Sequence, residues 1–331
     1  MELIIKPTVA CNFACTFCSA GKMCNHKYDP NNIPDVLKEH ILKTKPNHVI
    51  ITGGDPLMMN PEYYYKLHDI LPKNSHISMT TNLKDFYLNP DKWTALFNEP
   101  WMGIGTSFQY GNDRKWDENT VYTEEMFLKV QDLFYQRTGR HAFFIAVINE
   151  DNEDTVLDLC RLAKKLGVSV KINNMLSVGK YENKTYPRYK MYKKYLEVID
   201  AGLEDYETNC LDRKVNRCPK NFYGACEYSI HCVMVDENGE LKLSTCDEQM
   251  ALGHYLDKKY WNLNEIESFK CDGRNTINPK DYIKPECPAC ELFGLCNGCR
   301  TNRDEAKKDP IYCEEMLKIK DKIIEYGWWL P

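Results

Sequence analysis

Three cysteines near the start of the chain have a spacing that suits an iron–sulfur cluster. Cys11, Cys15 and Cys18 lie in the run Cys-Asn-Phe-Ala-Cys-Thr-Phe-Cys, directly after a short apolar stretch. Three thiolates on one short loop can each bind one iron of a [4Fe-4S] cluster, which leaves the fourth iron without a protein ligand from this loop. A small molecule can bind and react at such an open iron. The alternative is a zinc knuckle, but zinc usually takes four ligands, and that set would need both Cys24 and His26.

A second group of cysteines lies in the last third of the chain. Eleven of the sixteen cysteines fall between Cys210 and Cys313. Eight of these, which we call the cysteine ladder, have spacings suited to metal binding: Cys226, Cys232, Cys246, Cys287, Cys290, Cys296, Cys299 and Cys313. Eight thiolates are enough for two complete four-iron clusters. The alternative is a pair of zinc ribbons, in which cysteines two residues apart are common.

Composition sets the outer limits on function. A chain of 331 residues with 43% apolar content favours one large globular domain and a smaller one. The net charge of -5 gives no overall attraction for nucleic acid, which disfavours nucleic acid as a partner. The N-terminus has no secretion signal, and no apolar stretch approaches 18 residues. We therefore expect a cytoplasmic protein without membrane spans, in which cysteines bind metal rather than form disulfides.

The elements that must position these cysteines follow from the pattern of the first two hundred residues. Strand-like and helix-like segments alternate there, which predicts repeated βα units around a parallel sheet. The clearest strand-like runs are residues 3–5, 48–52, 76–80, 141–147 and 168–172. Asp154 is predicted to cap a helix that begins near Thr155 and ends at Gly167. About six such units predict an α/β fold with a partial (β/α)6 barrel.

Polar and glycine-rich residues follow the predicted strands, where barrels of this type carry their chemistry. The run Gly53-Gly54-Asp55-Pro56 follows the second long strand, and glycines let the backbone approach a ligand closely. An ordinary turn is the alternative for this run. Further candidate site residues after later strands are Thr81, Asn82, Ser107, Asn149 and Asn152. The alternative is that these residues have no role in binding. Polar residues end most strands, and Asn149 and Asn152 also suit the start of a helix.

The cysteine loop, followed by a strand and Gly53-Gly54-Asp55-Pro56, resembles the radical S-adenosylmethionine (SAM) enzymes. Their cluster binds SAM and cleaves it reductively to a 5'-deoxyadenosyl radical. The resemblance implies that Cys11, Cys15 and Cys18 bind the cluster, and that the glycine-rich run meets the amino group of SAM. It also implies polar contacts to the carboxylate or ribose from Thr81, Asn82 and Ser107, and adenosine contacts from Asn149 and Asn152. An electron donor such as flavodoxin or ferredoxin is implied as a partner.

The cysteine ladder resembles the SPASM extension of radical SAM enzymes, which holds two auxiliary [4Fe-4S] clusters. By similarity to the anaerobic sulfatase maturases, the first auxiliary cluster is implied to use Cys226, Cys232, Cys246 and Cys299. The second is implied to use Cys287, Cys290, Cys296 and Cys313. This chain departs from the family in having two rather than three residues between Cys296 and Cys299, so the loop there must be tighter.

This resemblance implies a barrel domain at residues 1–208 and a small cysteine-rich SPASM domain at 209–331. Within the second domain, residues 233–241 predict a β-hairpin with Asn238-Gly239 as its turn. Residues 314–326 predict a C-terminal helix from their apolar spacing.

Asp247, next to Cys246, is the candidate catalytic base. The sulfatase maturases, which this chain resembles there, use an aspartate in that place. A carboxylate beside a buried cluster can have a raised pKa, which suits a base that works near neutrality. The alternative is that Asp247 accepts hydrogen bonds from backbone amides in a turn.

These features predict a radical SAM enzyme that oxidises, cross-links or otherwise modifies a C–H position of a peptide or protein, as the ribosomal-peptide maturases do. One alternative is a dehydrogenase or epimerase that acts on a small molecule such as a sugar or an aminocyclitol. A second alternative is a non-catalytic, metal-stabilised scaffold or electron carrier. Since the first strand begins at residue 3, we expect either a separate leader-binding protein or direct recognition of the substrate.

Overall fold

The computed structural model describes residues 2–18, 29–175, 186–215, 230–235, 240–244, 249–254, 290, 292 and 309–327. Its strands β1–β9 are Glu2–Lys6, His48–Ile51, His76–Thr80, Met102–Ser107, Phe143–Ile148, Val170–Asn174, Ile230–Val235, Glu240–Ser244 and Gln249–His254. Its helices α1–α10 are Asp35–Thr44, Pro61–Asp69, Lys84–Leu88, Pro90–Phe97, Glu124–Thr138, Val156–Leu166, Arg188–Asp200, Thr208–Val215, Tyr312–Lys318 and Lys320–Glu325. Within these ranges, no helix is long and apolar enough to cross a membrane.

The strands form one sheet in the order β6-β5-β4-β3-β2-β1-β7-β8-β9. The first six run parallel and make an α/β half-barrel, which confirms the predicted fold class. Because these strands run parallel, the loops that follow β1 to β4 lie at one edge of the sheet. This edge carries the cysteine loop, the glycine-rich run and the predicted residues Thr81, Asn82 and Ser107.

Strand β7 extends the sheet on the other side of β1. It pairs with β1 in parallel, with Cys232 opposite Ile4, and then pairs with β8 in an antiparallel ladder, with Val233 opposite Leu243. The antiparallel β7 and β8 confirm the strands of the predicted hairpin, whose turn lies outside the described residues. Strand β9 adds a further antiparallel edge.

The chain divides into two compact units, and the first contains residues 2–145 with β7–β9. Alternate residues of its strands, such as Val49 and Ile51 of β2, are fully buried because successive side chains point to opposite faces. They join a single core cluster with large side chains from the helices, including Trp93 of α4 and Phe134 of α5. Helix α5 begins where the Thr123 hydroxyl accepts a hydrogen bond from the Met126 amide.

The second unit contains the end of β5, strand β6 and helices α6–α10. Helix α6 ends at Gly167, whose left-handed backbone (φ 67°) confirms the predicted stop. Its start agrees with the one predicted near Thr155, but the predicted cap was wrong. Asp154 lies in a short 3-10 turn over Glu153–Thr155, and the helix begins at Val156. The N-cap residue of the helix is Thr155, and no side chain, including that of Asp154, accepts a capping hydrogen bond there.

The C-terminal helix predicted at residues 314–326 is two helices, α9 and α10, separated at Ile319. Each is held to α7 by its own polar contacts. Lys193 of α7 donates to Glu315 of α9, whereas Lys322 and Tyr326 donate to Asp200 at the end of α7. The break lies at Ile319, whose backbone (φ -106°, ψ 3°) departs from helical values.

Candidate active site

The cysteine loop is held at its base by the loop that follows β2. The Gly54 amide donates to the Thr8 carbonyl oxygen (2.9 Å), and the Asp55 amide donates to the Ala10 carbonyl oxygen (2.8 Å). A Cβ atom on Gly54 would lie 2.0 Å from the Ala10 oxygen, and Gly53 has a φ of 131°, which L side chains rarely adopt. Close approach of the two backbones therefore requires both glycines.

Asp55 joins this pair of loops to the loop after β3. Its carboxylate accepts hydrogen bonds from the Leu57 amide (2.9 Å), the Thr81 hydroxyl (2.9 Å) and the Asn82 amide (2.7 Å). The side chain is 2% exposed. Burial raises the pKa of Asp55 to about 6, although the three hydrogen bonds favour the charged form and lower it. Asp55 is thus a buried link between two loops of the candidate site.

Asn82 continues the connection to the cysteine loop itself. Its side-chain amide donates to the Asn12 side-chain oxygen (2.8 Å) and points at the Cys11 sulfur (3.7 Å). The next residue, Leu83, has a left-handed backbone (φ 59°), and its amide donates to the Thr81 hydroxyl (3.0 Å). The predicted residues Asp55, Thr81 and Asn82 therefore lie together beside Cys11.

A segment after β4, residues 109–122, pairs with the other side of the cysteine loop. The Ala14 amide donates to the Lys115 carbonyl oxygen (3.1 Å), and the Thr16 amide donates to the Asp113 carbonyl oxygen (2.9 Å). The Thr16 hydroxyl also donates to the Asp113 side chain. These bonds fix the backbone on both sides of Cys15.

Arg114, in the same segment, was not singled out from the sequence. Its guanidinium donates to the Ser107 hydroxyl (2.9 Å) and the Gln109 side-chain oxygen (3.0 Å), and it lies 5.0 Å from the centre of the Phe17 ring. The predicted residue Ser107 is therefore connected to the cysteine loop through Arg114. An arginine shortly after a barrel strand that ends in Ser107 is the signal that could have found it.

The surroundings of Cys11 and Cys15 combine burial with groups that favour a thiolate. Burial is the main cause that raises the pKa of Cys11 to about 12, and the nearby Asp55 carboxylate adds to it. Burial also raises the pKa of Cys15, whereas the Arg114 guanidinium and the Lys115 amide favour its thiolate. The Phe13 amide donates to the Cys11 sulfur (3.4 Å). N–H donors and a nearby cation stabilise cluster-bound thiolates, because metal binding requires the deprotonated form.

Two buried polar atoms near this loop have no hydrogen-bond partner in the described part of the chain: Arg114 Nε and Tyr122 Oη. The ring of Tyr122 contacts the Phe13 ring of the cysteine loop, with centres 5.1 Å apart. Buried polar groups normally have partners. A ligand rich in polar groups, such as SAM, fits this set.

Among the described residues, no three Cys, His, Asp or Glu side chains are grouped in a way that would hold a single metal ion. In a [4Fe-4S] cluster each thiolate binds a different iron. The three loop thiols therefore need not meet at one point to hold a cluster.

Asn149 and Asn152 lie in the second unit, in the turn after β5. The Asn149 amide donates to the Asn152 side-chain oxygen (2.8 Å), and the Asn152 side-chain nitrogen donates to the Val147 carbonyl oxygen (3.2 Å). Both residues are buried. These contacts shape the turn, and the predicted adenosine contacts stay a prediction.

Three members of the cysteine ladder fall on described residues. Cys232 lies in β7, Cys290 is half-buried, and Cys313 is half-buried on α9. The remaining predicted residues lie outside the described part of the chain: Cys226, Cys246, Asp247, Cys287, Cys296 and Cys299.

The family model of the Radical SAM superfamily matches residues 5–184, more than half of the chain. The chain belongs to the radical SAM superfamily. The match covers the cysteine loop, the glycine-rich run and the loops after β3 and β4, which contain the site assembled above. Membership implies that this radical SAM enzyme binds a [4Fe-4S] cluster and SAM.

Solved structures share the fold of this radical SAM enzyme. The structure of native anSMEcpe with bound AdoMet and the Cp18Cys peptide is 18% identical, covers 98% of each chain and gives a TM-score of 0.63. Streptococcus suis SuiB bound to S-adenosylmethionine is 16% identical over 94% of this chain and 75% of SuiB, with a TM-score of 0.56. SuiB bound to its precursor peptide SuiA is 18% identical, with a TM-score of 0.58 over 94% of this chain and 74% of SuiB. No curated protein sequence matches the chain.

Proposed function

We propose that Cys11, Cys15 and Cys18 hold the SAM-binding cluster of an enzyme that oxidises, cross-links or otherwise modifies a C–H position of a peptide or protein. The observation that carries the first part is the hydrogen-bond network that ties the cysteine loop to Asp55 and Asn82 on one side and to residues 113–115 on the other. A loop fixed on both sides can hold a cluster in one geometry.

When bound, the cluster and SAM supply a 5'-deoxyadenosyl radical that abstracts hydrogen from the substrate. Gly53 and Gly54 pack against the base of the cysteine loop and are half-buried, so part of their main chain is accessible to SAM. Arg114 and Tyr122 offer polar groups to the carboxylate and hydroxyls of SAM, and Thr81, Asn82 and Ser107 hold these elements in place.

A peptide substrate is supported by two structural relatives. anSMEcpe was solved with a peptide, and SuiB was solved with its precursor peptide. Because identity to both is below 20%, the likeness concerns the fold, and the substrate class for this chain is our proposal. A flavodoxin or ferredoxin is the electron donor that this activity calls for.

We further propose that the cysteine ladder forms a SPASM domain at residues 209–331, after the barrel of residues 1–208. Its eight cysteines would hold two auxiliary clusters, with Asp247 as the base. Support comes from the spacing of the cysteines and from the likeness to anSMEcpe, which extends over 98% of both chains.

Anaerobic reconstitution with iron and sulfide, followed by SAM and dithionite, tests these assignments. We expect about twelve irons per chain, at four per cluster, and formation of 5'-deoxyadenosine. Cys15→Ala should abolish deoxyadenosine formation, whereas Cys290→Ala should lower the iron content but retain some cleavage. Cys160→Ala is the control, because Cys160 is buried on α6 and is not a proposed ligand.

A pool of synthetic peptides tests the substrate class. We expect peptides to accelerate deoxyadenosine formation and to lose or gain mass at a C–H position, as seen by mass spectrometry. Turnover of a sugar or an aminocyclitol in place of any peptide would contradict the proposed substrate. Failure to form deoxyadenosine with every candidate substrate would contradict the proposed activity.

A further inference from the structure

Lys84 connects the two segments that hold the cysteine loop. It is the first residue of α3, directly after the left-handed Leu83. Its ammonium donates to the Asn12 carbonyl oxygen (3.1 Å), between the first two cluster cysteines, and to the Trp116 carbonyl oxygen. One side chain from the loop after β3 therefore bonds both to the cysteine loop and to the segment after β4.

The position of the ammonium is fixed from several directions. It lies 4.9 Å from the centre of the Trp116 ring and 5.9 Å from that of Phe13. The Lys84 amide donates to the Asn82 side-chain oxygen (2.8 Å), and that same asparagine points its amide at Cys11. These contacts hold a positive charge beside the first cysteine of the loop.

Burial lowers the pKa of this ammonium, whereas two acidic groups, the Asp117 carboxylate and Cys11 when it is a thiolate, raise it. Asp117 is fully exposed, and its carboxylate accepts hydrogen bonds from the amides of Asn119 and Thr120. Solvent screens the attraction between an exposed carboxylate and a cation. The attraction between Lys84 and a thiolate at the partly buried Cys11 is screened less.

We propose that Lys84 is a positioning residue for the SAM-binding cluster: it holds the Cys11–Asn12 segment in place and makes the cluster easier to reduce. The inference rests on the proposed assignment of Cys11, Cys15 and Cys18 as ligands. Reduction adds one negative charge to the cluster, and a fixed cation nearby stabilises the reduced form more than the oxidised form. Charge and hydrogen bonds around a cluster are known determinants of its potential.

Three variants of the reconstituted full-length enzyme separate charge from packing. Lys84→Met removes the charge and the hydrogen-bond donors but keeps an unbranched chain, whereas Lys84→Arg keeps both charge and donors. Lys92→Met is the matched control. Lys92 also lies over an indole ring, at 4.7 Å from the Trp93 centre, but it pairs with Asp85 instead of a carbonyl of the cysteine loop.

The readout is a redox titration followed by electron paramagnetic resonance, with iron content measured on the same samples. The triple variant Cys11→Ala, Cys15→Ala, Cys18→Ala identifies which signal belongs to this cluster. We expect Lys84→Met to make reduction about tenfold less favourable, a shift of about 59 mV to lower potential for a one-electron couple. Lys84→Arg and Lys92→Met should both keep the wild-type potential.

Each result decides the proposal. A lower potential in Lys84→Met that is restored in Lys84→Arg supports it, as does loss of iron in Lys84→Met alone. An unchanged potential at full iron content overturns it and leaves the ligand assignment intact. Equal loss of iron in Lys84→Met and Lys84→Arg also overturns it, because the charge is then not responsible. If the triple variant keeps every signal, both the ligand assignment and the role of Lys84 are wrong.

Discussion

Replacing Gly54 by alanine should separate the loop after β2 from the base of the cysteine loop. The added methyl group would lie 2.0 Å from the Ala10 carbonyl oxygen and 2.4 Å from the Val9 carbonyl carbon. Ordinary van der Waals separation requires about 1.5 Å more than the shortest of these contacts. Both contacts are to backbone, so no side chain can turn away to relieve them, and one loop must move.

The expected cost follows from the bonds that this movement breaks. The amides of Gly54 and Asp55 donate to the Thr8 and Ala10 carbonyl oxygens at 2.9 and 2.8 Å. Their loss costs about 1 kcal/mol each, and the strain of overpacking adds about 1–3 kcal/mol. Together these terms destabilise the protein by about 3–5 kcal/mol.

Urea unfolding of the metal-free protein measures this cost, and iron content after reconstitution measures its effect on the cysteine loop. Gly103→Ala is the control. Gly103 lies in β4, and its added Cβ would be 3.5 Å from the Ser78 Cβ, an ordinary contact. We expect Gly54→Ala to unfold at lower urea and to bind less iron than Gly103→Ala. Equal stability and equal iron in the two variants would refute the close approach of the loops as an explanation for Gly54.

Two further predictions concern buried carboxylates. Thr81→Val removes the hydroxyl that donates to Asp55 and should lower the free energy of unfolding in urea by about 1–3 kcal/mol. Thr81→Ser keeps a hydroxyl and should retain most of the stability. Equal losses of stability in the two variants would contradict this role of the hydroxyl. Glu207 is fully buried, accepts hydrogen bonds from the Ile172 and Cys210 amides, and has a pKa raised by burial above its ordinary value of 4.5. A raised pKa means that the folded state binds the proton more tightly than the unfolded state does. The stability that protonation provides is therefore complete below pH 4.5 and is lost as the pH rises from there through the raised pKa. The free energy of unfolding of the wild type relative to Glu207→Gln should therefore fall with rising pH, and a flat difference would show that Glu207 does not titrate in this way.

The strands and the loops that follow them could be predicted from the sequence because each carries a local signal. The run at 76–80 matches β3 to the residue, and the glycine-rich run follows β2 as expected. The contacts that complete the site are not local. Thr16 and Asp113 are 97 residues apart, and no periodicity within either segment indicates that they pair.

The same limit applies to β7. Its apolar residues and the following Asn-Gly turn predicted a hairpin, but a hairpin pattern does not say which edge of which sheet it joins. Its parallel pairing with β1 depends on a partner more than two hundred residues earlier, with Glu2 opposite Ile230. Lys84 was missed for a related reason, because its two acceptors are main-chain carbonyls, which every residue possesses.

Asp55 shows how the glycine-rich run works in this chain. Asp55 is 2% exposed, and its carboxylate already accepts hydrogen bonds from three protein donors. A ligand that bound to this carboxylate would have to compete with those donors. The main chain of Gly53 and Gly54, by contrast, carries no side chain that could cover it. In the proposed site, SAM would therefore meet main-chain atoms, and the carboxylate would act indirectly by fixing the loop after β3. A change at Asp55 should accordingly alter the stability of the loops and the retention of iron together, because the same three hydrogen bonds serve both.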